Sequence, residues 1–92
     1  MKKVLHVATI ALLILSLAAG VALAEEFKGV VEQMPPHGTL GTWVVGGTLV
    51  QVTDATKLEF EHGPARVGSF VEVEGKRHEG GFFATKIEGK KP

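Results

Sequence analysis

The amino-acid sequence predicts an all-β domain, closed as a small five-stranded barrel, behind an N-terminal helical signal peptide. Three observations predict it. After Ala24, glycine recurs every few residues, and β-branched and aromatic side chains fill the intervals in two-residue alternation. No stretch beyond Ala24 carries the spacing of an amphipathic helix. A flat sheet of short strands would leave one apolar face wet and two edges open, so the ribbon is expected to curl and close.

The first 24 of the 92 residues read differently. Met1-Lys2-Lys3 is basic, and Val7 to Ala24 is apolar apart from Thr9, Ser16 and Gly20. The run ends on Ala22-Leu23-Ala24, and charge returns at Glu25-Glu26. A basic start, an apolar middle and a small-x-small site make a secretory signal, cleaved near Ala24. The expected location is periplasmic or secreted. The alternative is an uncleaved anchor, because a run of this length approaches the lower limit of roughly 17–25 residues for a span. Membrane contact is expected only in that case.

Cleavage leaves residues 25–92, 68 in all, with eight Lys/Arg (ten less Lys2 and Lys3) against ten Asp/Glu. A net charge of about −2 exerts no long-range pull on phosphate backbones, so nucleic acid is excluded as a partner. There is no cysteine. That excludes disulfides, lipid attachment through a thiol and thiol chemistry. The core must suffice unaided, or the domain must gain burial from a partner.

The elements follow in order. Glu26 to Gln33 is the first strand, with Phe27, Gly29 and Val31 on one face. Met34-Pro35-Pro36-His37-Gly38 ends it, since two prolines cannot donate to a ladder. Thr42 to Val45 and Thr48 to Thr53 flank Gly46-Gly47, a pair suited to a type I′ turn. That turn sets Val45 against Thr48, Val44 against Leu49 and Trp43 against Val50. The inward face is then Trp43, Val45, Val50 and Val52. Asp54-Ala55-Thr56 is a turn, with Asp54 placed to bond the amides ahead of it. A short extended piece covers Lys57 to Glu61, and 62–68 is a link with room for one helical turn. Phe70 to Gly75 turns Val71 and Val73 inward and Glu72 and Glu74 outward. Lys76 to Gly81 reads as a loop, and Phe82 to Glu88 is the last strand. Ala84 and Ile87 have opposite parity, so a bulge is expected to bring both inward.

Three strands, a link and two strands suit an OB-like barrel over 25–89, with an SH3-like barrel as the alternative and 90–92 as a frayed tail. The matching pieces are Phe27-Lys28-Gly29-Val30-Val31, Gly41-Thr42-Trp43-Val44-Val45-Gly46-Gly47, Val67-Gly68-Ser69-Phe70-Val71-Glu72-Val73-Glu74-Gly75 and Ala84-Thr85-Lys86-Ile87-Glu88. In these the chain resembles a widespread group of exported bacterial domains of unknown function with an OB-like barrel. More distantly it is similar to periplasmic bacterial OB-fold stress proteins. The resemblance implies fold and export, and it carries no catalytic residue.

Few residues carry chemistry. Ser16 lies in the signal, and Ser69 has no histidine or acid at motif spacing, so no nucleophile is assembled. The glycine pairs join strands rather than opening a helix, so no phosphate cradle is expected. The chain is read as a non-enzyme without a cofactor. His37, His78 and Glu79 fall in loops that an OB barrel brings to one end, which makes a weak transition-metal site the alternative reading. With no pair of histidines at ligand spacing on one element, no metal is the favoured reading. Trp43 is read as core. The candidate binding residues are Val44 and Leu49, on the face opposite Trp43 together with Val30 or Phe82, and the basic cluster Lys76, Arg77 and His78. The expected function is a binding module for an unknown protein, peptide or small ligand. The alternatives are a structural accessory of an envelope assembly or a weak metal binder.

Overall fold

The computed structural model describes residues 24–91, so the signal helix expected ahead of the domain lies outside the described residues. Six strands follow one another: β1 (Glu25–Gln33), β2 (Gly41–Val45), β3 (Thr48–Val52), β4 (Lys57–Glu59), β5 (Phe70–His78) and β6 (Gly81–Gly89). Hydrogen bonding runs β3-β2-β1-β5-β6, and β3 pairs again with β6, which closes five strands into a barrel. The closing pair is parallel and the other four in the ring are antiparallel. This order, reached by the long connection between β3 and β5, is OB-like. The described residues contain no helix. The link that had room for a helical turn instead bends back through Ser69 N donating to Arg66 O.

The β2–β3 hairpin has the register read from Gly46-Gly47, with Val45 opposite Thr48 and Trp43 opposite Val50. Both glycines take positive φ, +53° and +78°, as the turn requires. The inward set is buried: Trp43, Val45, Val50 and Val52 meet Val31, Val71, Val73, Phe82, Ala84 and Ile87. The Trp43 indole Nε1 donates to Thr39 O at 2.7 Å, so this large ring enters the core with its one polar atom satisfied.

Two irregularities shape the wall. Glu74 pairs with Lys86 and Gly75 with Ala84, which leaves Thr85 unopposed. This is the bulge that the parity of Ala84 and Ile87 requires, and both residues are buried. Across from it the β3 edge breaks. Between the pairs Val50–Phe82 and Lys57–Lys86, the chain advances seven residues on one side and four on the other, so Thr53–Thr56 loops out. The extended piece expected there is β4, a sixth strand, which resumes the same edge of β6 in parallel. Thr56 closes the gap: its buried hydroxyl donates to Ala84 O at 2.7 Å and accepts from Thr53 N at 3.0 Å. The Thr53 hydroxyl, rather than the Asp54 carboxylate, takes the Ala55 amide.

The last hairpin is longer than the sequence suggests. Lys76, Arg77 and His78 are strand, not loop, paired with Phe83, Phe82 and Gly81, and the turn is Glu79-Gly80 alone. Phe82 is the reason. It is fully buried, packed edge-on to Phe27 with ring centroids 5.1 Å apart, and the Arg77 guanidinium lies 5.6 Å above it. Seating that ring in the mouth of the barrel fixes its own backbone and that of its partner Arg77. Gly80, at φ +81°, then supplies the reversal.

Candidate binding face

Alternation that sends Trp43, Val45, Val50 and Val52 inward sends Thr42, Val44, Leu49 and Gln51 outward. On β6, Phe82 and Ala84 point in, so Phe83 points out. On β5 the outward positions of the projecting arm are Lys76 and His78. Ladder pairing arranges these as two rows across β2, β3, β6 and β5. One row is Val44, Leu49, Gly81 and His78; the other is Thr42, Gln51, Phe83 and Lys76. Contact joins the first row: a side chain on Gly81 would lie 3.2 Å from Leu49 O and 3.8 Å from Leu49 Cβ. A hydrogen bond from Thr42 Oγ1 to Gln51 Oε1, 3.0 Å, begins the second. The His78 ring stands edge-on to Phe83, with centroids 4.9 Å apart.

The face is apolar at its centre. Leu49 is 47% exposed and Phe83 is 45% exposed, and Val30 of β1 is 44% exposed on the outer surface next to the β2–β3 turn. Its two rows hold no carboxylate, but Glu32 of β1 borders them, its Oε1 accepting from the Gly47 amide at the β2–β3 turn. The rest of the outer wall, on β1, β5, β6 and β4, is the opposite: it is laid with charge. Lys86 reaches Glu59 at 3.7 Å, Glu88 at 3.8 Å and Glu74 at 3.9 Å, and Lys90 reaches Glu88 at 3.3 Å and Glu72 at 4.0 Å. These lysines separate carboxylates that the ladder sets directly opposite one another, Glu72 with Glu88 and Glu59 with Glu88. The hydrogen bond from Lys57, helped by the charge of Lys86, holds the Glu59 carboxyl below the usual range against an opposing desolvation. Glu59, then Glu74, holds the Lys86 ammonium above its usual value.

Of the residues expected to bind, the fold brings Val44, Leu49, Lys76 and His78 to one face. Arg77 is not among them. It has the inward parity of the strand, and its Nε meets Glu25 at 3.5 Å at the barrel mouth. Phe82, the alternative member of the apolar patch, is buried, and its neighbour Phe83 takes that place. Parity could have found Phe83, because one of two adjacent phenylalanines on a strand must face out. The metal alternative is not assembled. Among the described residues, the group of three metal-capable side chains that converges is Glu26, Glu72 and Glu74, with ligand atoms within 4.8 Å, and not His37, His78 and Glu79. Lys86 and Lys90 already balance two of those carboxylates. A separate hollow of about 110 Å³ lies under the link, lined by Phe60, His62, Pro64, Arg66, Phe70 and Lys90 among others.

Residues 28–88 match the family described as "Domain of unknown function (DUF5666)". No curated protein and no solved structure matches the chain. The matched stretch covers most of the chain and runs from within β1 to within β6, so it takes in most of the closed barrel and both rows of the outer face. The chain belongs to this DUF5666 family.

Proposed function

We propose that the chain is a non-catalytic binding module that works outside the cytoplasm after export, and that the outer face of β2, β3 and β6 receives a protein or peptide partner. One observation carries the reading. Leu49 and Phe83 stand about half exposed in two rows that contain no carboxylate, on a barrel whose remaining wall is densely paired charge. Isolated exposed apolar residues are ordinary; two on adjacent strands, bordered by Val44 and Val30, support a docking role for this face. The sequence supports the other parts of the reading. The Met1–Ala24 segment has the form of a secretory signal. The domain has no cysteine, and its single serine, Ser69, accepts the Arg66 amide within a turn.

The test is site-directed photocrosslinking from the full-length chain expressed in a bacterial host, with the crosslinker at position 49, 83 or 72. A discrete adduct from 49 and 83 but not from 72, recovered in the periplasmic fraction, is the expected result. Adducts of equal yield from all three positions, or from 72 alone, would overturn the assignment of the face. Co-purification in fixed stoichiometry through the charged wall would favour a structural accessory instead.

A further inference from the structure

We propose that the face accepts an acidic peptide segment with an apolar tip. The partner's Leu- or Val-sized side chain seats over Gly81, between Leu49, His78 and Phe83, and a neighbouring carboxylate of the partner pairs with Lys76. This rests on the binding-module reading above and names the class of partner.

The seat is read from the rows. Gly81 is the one position in them without a side chain, and its neighbours across the ladder are Leu49 on one side and His78 on the other. Phe83, two residues along β6, closes a third side, its ring set edge-on to His78 with the two planes at 86° to each other. The floor is therefore backbone and the walls are aliphatic and aromatic. An apolar group laid over Gly81 would cover the exposed surface of Leu49 and Phe83.

The charge preference is read from Lys76. Lys57, Lys86 and Lys90 each lie within 4.0 Å of a glutamate, and so does Arg77 at the mouth, whereas Lys28, Arg66, Lys76 and Lys91 make no such pair among the described residues. Lys28 sits across the ladder from Glu72. Lys76 is exposed on this face, directly opposite Phe83, and among the described residues it has no carboxylate partner. A domain with more carboxylates than cations thus leaves a cation unspent beside its exposed aromatic. A carboxylate arriving there meets no repelling acid on either row, whereas a cationic segment meets Lys76.

The experiment is an ¹H–¹⁵N chemical-shift titration of the protein produced from the full-length chain. The probes are acetylated, amidated hexapeptides X-Leu-X-Val-X-Leu with X as Glu, Gln or Lys, and separately vesicles of phosphatidylglycerol and phosphatidylethanolamine. The acidic peptide should bind with shifts confined to 42–51 and 76–83, roughly tenfold tighter than the basic one. Lys76→Glu should reverse that order, and salt at about 0.5 M should erase it. Gly81→Ala should weaken the acidic and neutral peptides alike, with Trp43 emission showing the fold unchanged. Equal or basic-favouring affinity at this face would overturn the acidic assignment while the binding-module reading stood. Binding of vesicles but no peptide, or no shift from any peptide at about 5 mM, would also overturn it. Shifts on the charged wall instead would overturn both readings.

Discussion

Thr56→Val is expected to cost the domain about 2–4 kcal/mol, out of proportion to the single atom type it changes. Valine keeps the shape and β-branching of threonine and removes only the hydroxyl. That hydroxyl serves two backbone groups: it donates to Ala84 O at 2.7 Å and accepts from Thr53 N at 3.0 Å, in a residue only 8% exposed. After the change both groups lose their partner. A buried group left unpaired costs about 1–3 kcal/mol; Ala84 O lies inside the wall, and Thr53 N, at an exposed turn, belongs at the lower end of that range. The sum is large against the roughly 3–10 kcal/mol total stability expected for a domain of this size. Thr56→Ser keeps the hydroxyl and drops one methyl, about 1 kcal/mol. Urea unfolding followed by Trp43 emission measures both, since Trp43 is fully buried in the folded chain. If the valine variant is no less stable than the serine variant, the hydroxyl does not hold the broken edge together and the reasoning is wrong.

Gly75→Ala should be severely destabilising, by about 3 kcal/mol or more, because a Cβ there would lie 2.0 Å from Phe83 O and 2.9 Å from Ala84 Cα, and neither backbone atom can yield without opening the bulge; near-normal urea stability would refute this. Phe82→Ala should cost about 3–5 kcal/mol and Phe83→Ala less than about 1, a contrast that thermal melts read directly and that would vanish if the parity of β6 were reversed. Stability should be flat between about pH 5 and pH 10 and fall on both sides. Glu59 is depressed in the folded chain, so its contribution is present above its unfolded pKa and lost as pH falls through the folded one. Lys86 is raised, so its contribution is present below its unfolded pKa and lost as pH rises through the folded one. Lys86→Gln should shrink both shoulders of the melting-temperature profile, and shoulders of unchanged height would count against the charge lattice.

The hairpin, the core and the bulge were legible because each follows from local rules. Gly46-Gly47 fixes one register, that register fixes which of Trp43 and Val44 is buried, and the clashing parity of Ala84 and Ile87 demands an extra residue between them. What escaped was set by partners distant in sequence. Lys76-Arg77-His78 has the composition of a solvated loop, and it is held extended by its pairing with β6, whose Phe82 ring packs on Phe27 from β1. Thr56 looks like any turn threonine until its hydroxyl is seen to meet Ala84, 28 residues away. The candidate site divides in the same way. Val44 and Leu49 follow from the hairpin, whereas their union with Lys76, His78 and Phe83 depends on the parallel closure of β3 on β6, which no local pattern encodes.

That closure also explains why the barrel has one neutral wall and one ionic wall. Strand β6 is shared. Its first half pairs with β3 and its second half with β4, and the change of partner falls at Ala84 and Thr85. There the bulge on β6 and the loop-out at Thr53–Thr56 meet through the Thr56 hydroxyl. The bulge resets parity, so Phe83 faces out before it and Lys86 faces out after it, while Ala84 and Ile87 both stay inside. Without the extra residue, Lys86 would turn inward with Ala84, an unpaired charge in the core, and Ile87 would face water. One inserted residue therefore does two things. It keeps the core apolar along the whole strand, and it separates an outward aromatic that meets His78 from an outward lysine that ties three glutamates together. The neutral face is thus a consequence of how the barrel closes, and changes at the Thr56–Ala84 junction should disturb that face and the charged wall together.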